Sequence, residues 1–226
     1  MHRRLIVWIA EAKWIGDQIK LIDLPNNEIE CLNIGSSTRT YRESLKPYIQ
    51  ELIIKPISKR GKITHLDSKC DVGVDICGDI SDAHFREFLE AKKYNLILCN
   101  NVLTHVREPC DIFEIIDKCL MKNGFVIISA PQQYPYCADP YDSKYRPSIW
   151  DIQKMLPNFE TINYTKFESN ETLKQRLSGD LNLFLGFVLN VLIPRHGFLV
   201  WKNIIADIPN LDKRFTSIGL VMKKII

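Results

Sequence analysis

Glu28-Ile-Glu-Cys-Leu-Asn-Ile-Gly35, followed by Ser36 and Ser37, is the stretch that decides the fold. A short apolar run that stops at a glycine and two serines is typical of a buried parallel strand whose carboxyl end faces a ligand. In open α/β sheets ligands bind beyond these strand ends, and a glycine there lets the backbone approach them closely. A strand that ends in an ordinary tight turn is the alternative, because Gly35 is not part of a G-x-G-x-x-G motif.

The next candidate strand leads to an acidic residue. Lys62 to Leu66 precedes Asp67, which lies about thirty residues after the glycine turn, the length of one strand-helix-strand unit. This spacing puts the Asp67 carboxylate beside Gly35, where it could accept hydrogen bonds from both hydroxyl groups of a ribose. The sequence thus indicates a site for a ribose-containing ligand.

The composition suits one soluble globular domain. The chain has 226 residues, of which 46% are apolar and 25% charged, so it can bury a large core. The formal net charge is +3 and the basic residues are scattered, so we expect no nucleic-acid partner. The N-terminal apolar run is interrupted by Glu11 and Lys13 and lacks a small-residue cleavage site, which predicts neither a signal peptide nor a membrane span.

The cysteines indicate a reducing environment. The seven cysteines form no C-x-x-C pair and have no zinc-binding spacing, so we predict no metal site. Several of them lie inside apolar strands or helices. We therefore expect reduced core residues of a cytoplasmic protein.

Apolar spacing predicts strands that alternate with helices along the first half of the chain. The expected elements are a helix over 5–21, the strand ending at Gly35, an ordered loop to Lys46, a helix from Pro47 with a bend or end near Pro56, a strand at 62–66, a short strand or extended segment within 70–79, a helix capped by Ser81 or Asp82, and a strand at 94–99.

The second half continues this alternation and then departs from it. We expect a helix at 112–120 with Asn123-Gly124 as its C-cap, a strand at 125–130, a short helix with a Ser148/Asp151 capping box, and a terminal pair of strands at 159–167 and 215–225. This order predicts a doubly wound, mostly parallel seven-stranded sheet with helices on both faces and an antiparallel C-terminal strand. We expect one domain over 1–226, with an N-terminal helix (1–27), a cofactor-binding core (28–156), a helical insertion (168–210) and a last strand (211–226).

Two stretches carry a family resemblance. Tyr94 to Pro109 reads Tyr-Asn-Leu-Ile-Leu-Cys-Asn-Asn-Val-Leu-Thr-His-Val-Arg-Glu-Pro, and 120–131 reads Leu-Met-Lys-Asn-Gly-Phe-Val-Ile-Ile-Ser-Ala-Pro. These resemble the fourth strand, the "VLEHV-x-x-P" turn and the "L-K-P-G-G" entry to the fifth strand of class I S-adenosylmethionine-dependent methyltransferases. The chain is most similar to type 11-like members found with surface-glycan pathways. Thr104 replaces the usual glutamate of the turn. The resemblance implies a Rossmann-like fold.

The resemblance also implies a cofactor site for S-adenosylmethionine, with S-adenosylhomocysteine as product. Gly35, Ser36 and Ser37 match the loop under the methionine part, although the second glycine of that loop is missing. Asp67 matches the acid on the ribose hydroxyls. The remaining predicted cofactor-binding residues are Asn33, the Asp79-Ile80 pair that would hold the adenine, and Asn100 and Asn101, which would line the methyl-transfer face.

The predicted catalytic and acceptor-binding residues follow strands four and five. His105 is a candidate general base, because an imidazole titrates near neutral pH, or else it packs the turn before Pro109. Asp139 and Asp142 are alternative bases toward a sugar hydroxyl, and the spacing does not select between them. The predicted acceptor-binding residues share one proline-stiffened loop and could stack on a sugar: Tyr134, Tyr136, Tyr141, Tyr145 and Arg146. A rigid connection with internal hydrogen bonds is the alternative.

The inserted segment holds an apolar run, 181–193, that is too short to span a bilayer. It could be a lid helix over the active site, a homodimer contact, or an interfacial helix touching a membrane through 181–201. We expect a cytoplasmic, S-adenosylmethionine-dependent O-methyltransferase that acts on a small-molecule or glycan acceptor. The alternatives are a non-catalytic module that binds a partner through the insertion, and a nicotinamide-dependent oxidoreductase, which would leave Asp79 unexplained.

Overall fold

One mixed sheet organises the molecule. The computed structural model describes residues 7–24, 28–137, 141–194 and 197–226. The strands are β1 (Ile29–Ile34), β2 (Gly61–Asp67), β3 (Ile76–Cys77), β4 (Tyr94–Asn100), β5 (Leu120–Gln133), β6 (Phe159–Thr172) and β7 (Arg214–Lys224). They form a 7-stranded sheet in the order β3-β2-β1-β4-β5-β7-β6, in which β1 to β5 pair in parallel and β7 runs antiparallel to both of its neighbours. The predicted doubly wound, mostly parallel sheet is confirmed.

Helices lie on both faces of this sheet. They are α1 (Ile9–Leu21), α2 (Pro47–Ile49), α3 (Lys55–Ser58), α4 (Ala83–Glu90), α5 (Pro109–Cys119), α6 (Ile149–Met155), α7 (Leu173–Gly179), α8 (Leu181–Leu192) and α9 (Phe198–Ala206). Because side chains alternate along a strand, β1 serves two cores. Leu32 and Ile34 pack in the cluster that contains α5 and α6, whereas Ile29 and Cys31 pack in the cluster that contains α1 and the 49–57 segment.

The segment after the glycine turn is helical earlier than predicted. Two π-helical turns, Tyr41–Leu45 and Gln50–Ile54, alternate with α2 and α3, so the expected ordered loop to Lys46 is wrong. Pro47 is the first residue of α2, after the non-helical Lys46, and is tolerated because the first turn of a helix needs no backbone N–H donor within the helix. Pro56 follows the second π-helical turn directly, inside a continuous helical run. The helical segment then ends at Ser58, close to the end predicted near Pro56.

The end of α5 also differs from the prediction. The helix ends at Cys119, and Leu120 has an extended backbone and pairs with Tyr94 as the first residue of β5. Asn123, with φ +64°, lies in an irregular stretch of β5 between this pair and the pair of Leu96 with Phe125. It is therefore not a helix C-cap. Leu120 fits the helical apolar spacing equally well, and burial in the sheet decides its conformation.

Strand β6 continues past the predicted start of the insertion. Glu168 pairs with Thr216 and Thr172 with Arg214, so the helical segment that precedes β7 begins at Leu173. The Ser148/Asp151 capping box of α6 is present as predicted. Among the described helices, none is both long and apolar enough to cross a membrane.

A disulfide corrects one expectation about the cysteines. Cys70 and Cys77 are joined in the connection from β2 to β3, so the prediction that all cysteines are reduced is wrong for this pair. Cys31, Cys99 and Cys119 are buried in the cores, as expected. Cysteine spacing does not predict this pair, because it is the chain turn between β2 and β3 that brings the two thiols together.

Candidate cofactor and active site

A cavity of about 380 Å³ opens where β1, β2 and β4 end. All the residues predicted to bind the cofactor line this one cavity: Asn33, Gly35, Ser36, Ser37, Asp67, Asp79, Ile80, Asn100 and Asn101. They meet because the carboxyl ends of parallel strands lie along one edge of a sheet. The structure brings the predicted set together, and the role of each residue in binding stays a prediction.

The turn after β1 requires glycine at position 35. Gly35 has φ +66°, a backbone conformation that L side chains rarely adopt, and a Cβ added there would overlap the Val102 side chain. Ser37 also has a positive φ, 56°. The left-handed conformation at both positions shapes the loop. The second glycine of the common motif is therefore not needed to open this turn.

The Asp67 carboxylate anchors the same loop. It is buried, and it accepts hydrogen bonds from the backbone N–H groups of Ser37 (2.7 Å) and Lys69 (2.9 Å). Asp79 accepts from the Ser81 N–H at 2.9 Å, and the neighbouring Ile80 side chain is buried. Each carboxylate oxygen can accept more than one hydrogen bond, so both acids can also receive a ligand donor.

Two arginines that the sequence interpretation missed support the cavity walls. Arg42 is buried and donates to the carbonyl oxygens of Ser36 (2.9 Å) and Gly73 (2.7 Å), which ties the glycine turn to the β2–β3 connection. Arg86 donates to the Ile80 carbonyl at 2.9 Å and pairs with Asp111 at 3.1 Å. No local pattern distinguishes these arginines from surface ones. Their partners are brought within reach only by the fold.

A neutral histidine lies beside Asn33. The Asn33 amide nitrogen and His65 Nδ1 are 3.2 Å apart. Burial, together with the nearby Arg42 charge, lowers the pKa of His65 to about 4. Its Nδ1 is therefore able to accept the amide proton near neutral pH, which fixes the orientation of Asn33 at the cavity.

Asn100 and Asn101, where β4 ends, form the floor of the cavity. A buried glutamate that the sequence interpretation also missed, Glu11, lies beneath this floor. Asn101, which has φ +57°, follows β4 and donates from its Nδ2 to Glu11 Oε1 at 3.0 Å. Glu11 is 1% exposed, and burial raises its pKa to about 7. One signal was present in the sequence: Glu11 lies one helical turn before Ile15, on the apolar face of the predicted helix.

His105 lies at the cavity with one ring nitrogen engaged. Its Nδ1 is 2.7 Å from the carbonyl oxygen of Tyr141, and both residues line the cavity. A carbonyl oxygen only accepts, so Nδ1 carries the proton and Nε2 has the free lone pair in the neutral ring. This tautomer is the one that a general base at Nε2 requires.

Asp142 has its hydrogen bonds within the loop. Its carboxylate pairs with both terminal nitrogens of Arg146 (3.0 and 2.8 Å) and accepts from the N–H groups of Cys137 (2.7 Å) and Lys144 (2.8 Å). Burial would raise its pKa, but these partners outweigh burial and hold the pKa below its usual value. Neither Asp142 nor Arg146 lines the cavity. Asp139 lies outside the described residues.

The other loop tyrosines are spread over different surroundings. Tyr134 packs against Phe215 with ring centroids 5.1 Å apart, beside a second cavity of about 210 Å³. The Tyr136 N–H donates to Asp207 at 2.7 Å, and Tyr145 packs against the core. Of the tyrosines predicted to bind an acceptor, the structure places only Tyr141 among the described lining of the larger cavity. The internal hydrogen bonds match the alternative of a rigid connection.

In the segment after β6, α7 is packed against the protein, whereas much of α8 is exposed. Leu173 and Leu177 of α7 are buried against Phe215, but no residue of α8 is buried. Leu181 and Leu192, at the two ends of α8, are 71% and 70% exposed. No described residue of α8 lines either cavity. The geometry therefore gives no support to a lid over the active site.

Comparisons with known proteins agree with this architecture. A family model described as a methyltransferase domain matches residues 9–179. No curated protein matches the chain.

Solved structures share the fold at low identity. A candidate sarcosine dimethylglycine methyltransferase from Galdieria sulphuraria has a TM-score of 0.56 and 12% identity, over 96% of this chain and 86% of that one. The [4+2]-cyclase SpnF has a TM-score of 0.52 and 13% identity, over 98% and 84% of the two chains. Coclaurine N-methyltransferase, solved with N-methylheliamine and S-adenosylhomocysteine, has a TM-score of 0.51 and 12% identity, over 95% and 73%. The matched family and the shared fold lead to one conclusion: the chain belongs to the methyltransferase domain family and is a class I S-adenosylmethionine-dependent methyltransferase, with S-adenosylmethionine as its cofactor.

Proposed function

We propose that this methyltransferase transfers a methyl group to a hydroxyl of a small-molecule or glycan acceptor, with His105 as general base. The observation that carries the proposal is the hydrogen bond from His105 Nδ1 to the Tyr141 carbonyl, which leaves Nε2 as the basic nitrogen of a residue at the cavity. A hydroxyl acceptor loses its proton during the attack, so a positioned base contributes to the rate. A neutral amine acceptor has a free lone pair and has less need of a base.

The cofactor site is proposed from the residues that line the cavity. Asp67 would accept from the ribose hydroxyls, Asp79 and Ile80 would hold the adenine, and Gly35 would let the backbone pass close to the methionine part. Three features suit such a ligand chemically: the buried Asp67 carboxylate, Gly35, where a Cβ has no room, and the polar side chains at the end of β4. When bound, the cofactor supplies a methyl group already activated by a sulfonium charge. The protein then acts mainly by orienting donor and acceptor, an effect that contributes up to about 7–11 kcal/mol.

The acceptor side of the proposal depends on the loop at 134–147. Tyr141 is 44% exposed and lines the cavity beside His105, so its ring is available to stack on a sugar face. We further propose that the protein is cytoplasmic and acts in a surface-glycan pathway. SpnF, a cyclase, has the same fold, so the reaction has to be tested directly.

A contact through residues 181–201 is part of the proposal, as an addition to catalysis. The exposed leucines of α8 support it, because exposed apolar faces of this kind are typical of partner or membrane surfaces. A homodimer and a membrane surface are separate outcomes: light scattering detects the first, and flotation with lipid vesicles detects the second.

Calorimetric titration with S-adenosylmethionine and S-adenosylhomocysteine, with NAD as control, tests the proposed site. We expect micromolar binding of both sulfur ligands and none of NAD. Asp67→Ala should weaken binding by about 10- to 100-fold, since it removes charge-assisted hydrogen bonds of about 1.5–3 kcal/mol. Asp71→Ala is the matched control, because Asp71 is an exposed acid of the same connection that does not line the cavity. Equal affinity of the Asp67→Ala variant and the wild type would overturn the assigned site.

A further inference from the structure

The proposed function leaves the buried Glu11 carboxyl unused. Glu11 is in the first turn of α1, 90 residues before Asn101 in the chain, yet it lies directly beneath the cavity floor. Its Oε2 accepts from the Trp8 backbone N–H at 3.1 Å, as a helix-capping glutamate does. A capping glutamate usually stays in solvent, whereas this one is 1% exposed and has a second set of partners.

The second set of partners is the cavity floor. Glu11 Oε1 accepts from Asn101 Nδ2 at 3.0 Å, and the Ser129 hydroxyl is a further hydrogen-bond partner of the carboxyl. The Ser129 hydroxyl can also donate to Asn100 Oδ1, which lies 3.1 Å away. Ser129 has one hydroxyl proton, so it donates either to Glu11 or to Asn100. Glu11 therefore acts on Asn101 directly and on Asn100 through Ser129.

We propose that Glu11 is a positioning residue of the cofactor site, whose carboxyl sets the orientation of Asn101 and Asn100 where β4 ends. The inference rests on the proposed function, since it takes the cavity to be the site of the cofactor. A charged Glu11 accepts from Trp8, Asn101 and Ser129 together. A protonated Glu11 can instead donate to Ser129, which releases the Ser129 proton to Asn100. The two states present different donors and acceptors at the floor.

The change between these states falls near neutral pH. Burial raises the pKa of Glu11 to about 7, against the lowering effect of hydrogen bonds from Ser129, Trp8 and Asn101. Among the residues that the structure describes, the titratable side chain that faces Glu11 is the phenol of Tyr48, in α2. Burial and the Glu11 charge raise the pKa of Tyr48 to about 12, so this group stays neutral across the range of interest. Its hydroxyl donates to the Val7 carbonyl at 2.7 Å.

Titration of the protein with S-adenosylhomocysteine from pH 6 to pH 8.5 tests the inference without requiring an acceptor. We expect wild-type affinity to rise about tenfold over this range, as Glu11 becomes charged and fixes Asn101. Glu11→Gln, which resembles the protonated state, should match the wild type at pH 6 and bind about tenfold more weakly at pH 8.5. Asp17→Asn is the control, because Asp17 is an exposed acid on the same helix.

An Asn101→Ala/Ser129→Ala background, which removes both routes from Glu11 to the cavity, separates positioning from a structural effect. There, Glu11→Gln should change affinity by less than twofold at every pH. A Glu11→Gln variant that follows the wild-type pH profile overturns the inference, as does a loss of affinity that is independent of both pH and Asn101. If the folded wild type binds no S-adenosylhomocysteine at any pH, the proposed function itself fails, and the positioning role fails with it.

Discussion

Two regions of the molecule differ in how their polar groups are bonded and their apolar groups buried. One is the sheet edge that holds the cavity, and the other is the segment after β5. At the cavity, Asp67 and Arg42 are buried and bonded to backbone that belongs to other elements. In the later segment, the Asp142 carboxylate bonds within its own loop, and α8 leaves several of its apolar side chains exposed. Elements fixed by long-range contacts hold a preformed site. The exposed segment has features of a surface that contacts something else.

His105 offers the strongest test of this contrast. If it is the base, His105→Gln should lower turnover by about 100-fold or more, because a positioned base contributes about 10²- to 10⁴-fold to a rate. The affinity for S-adenosylhomocysteine should stay within about twofold. Turnover is measured as S-adenosylhomocysteine formed with a panel of methyl glycosides as hydroxyl acceptors.

Asp142→Asn is the matching change in the later segment. It removes a charge from a buried pair, so we expect the free energy of unfolding to fall by about 3 kcal/mol while turnover of the folded variant is retained. Chemical denaturation measures the first quantity. The assignment reverses if Asp142→Asn abolishes turnover and His105→Gln does not.

Glycine-to-alanine changes compare the two regions directly. Gly35→Ala should weaken S-adenosylhomocysteine binding by at least about tenfold, because the added Cβ meets Val102 and the positive φ costs about 1–2 kcal/mol. Gly186→Ala, in α8, meets nothing within 4 Å and should stabilise the protein by up to about 1 kcal/mol. Calorimetry and thermal unfolding measure both variants.

A double variant refines this comparison. Gly35→Ala/Val102→Ala removes the overlap and keeps the backbone strain, so its affinity should lie between those of Gly35→Ala and the wild type. If Gly35→Ala already binds like the wild type, the turn is not in the conformation described above.

The disulfide gives a smaller effect at the cavity edge. Cys70 and Cys77 close a short loop between the segments that hold Asp67 and Asp79. A Cys70→Ser/Cys77→Ser variant should lose about 2–2.5 kcal/mol of stability, the contribution that loop closure of this length predicts, and a few-fold in S-adenosylhomocysteine affinity. Cys110→Ser, which removes an exposed free thiol, should change neither quantity. An unchanged unfolding curve for the double variant would show that the bond contributes nothing in solution.

The exposed leucines of α8 should contribute least to stability. Leu181→Ser and Leu192→Ser should each change the free energy of unfolding by less than about 0.5 kcal/mol, because both side chains are already in solvent. Leu177→Ala, on the neighbouring α7, should cost about 2–5 kcal/mol because Leu177 is buried. A large loss of stability in either serine variant would show that the leucine it replaces is packed and not in solvent.

The same serine variants separate the two proposed contacts of 181–201. Flotation with phosphatidylglycerol vesicles detects a membrane contact, and light scattering detects a dimer. Loss of one signal in the variants identifies the contact. Wild-type protein that neither floats nor dimerises would remove this part of the proposal.

The sequence predicts the sheet edge at the cavity better than it predicts the segment after β5. Gly35, Asp67 and Asn100 line one cavity because each lies at the end of an apolar strand, and parallel strands bring their carboxyl ends to one edge. Leu120 was misplaced because one apolar pattern suits both a helix end and a strand start. The loop tyrosines were grouped by composition, and the structure separates Tyr134 from Tyr141.

The sequence by itself determined the order of strands and helices, the glycine turn and the residues at the strand ends, because these depend on local spacing and backbone conformation. Only the tertiary structure decided that Glu11 lies beneath Asn101 and that Arg42 braces the glycine turn. It also joined Cys70 to Cys77. These contacts join residues whose local sequence carries no mark of the partner, and their hydrogen bonds form only once the sheet and helices have packed.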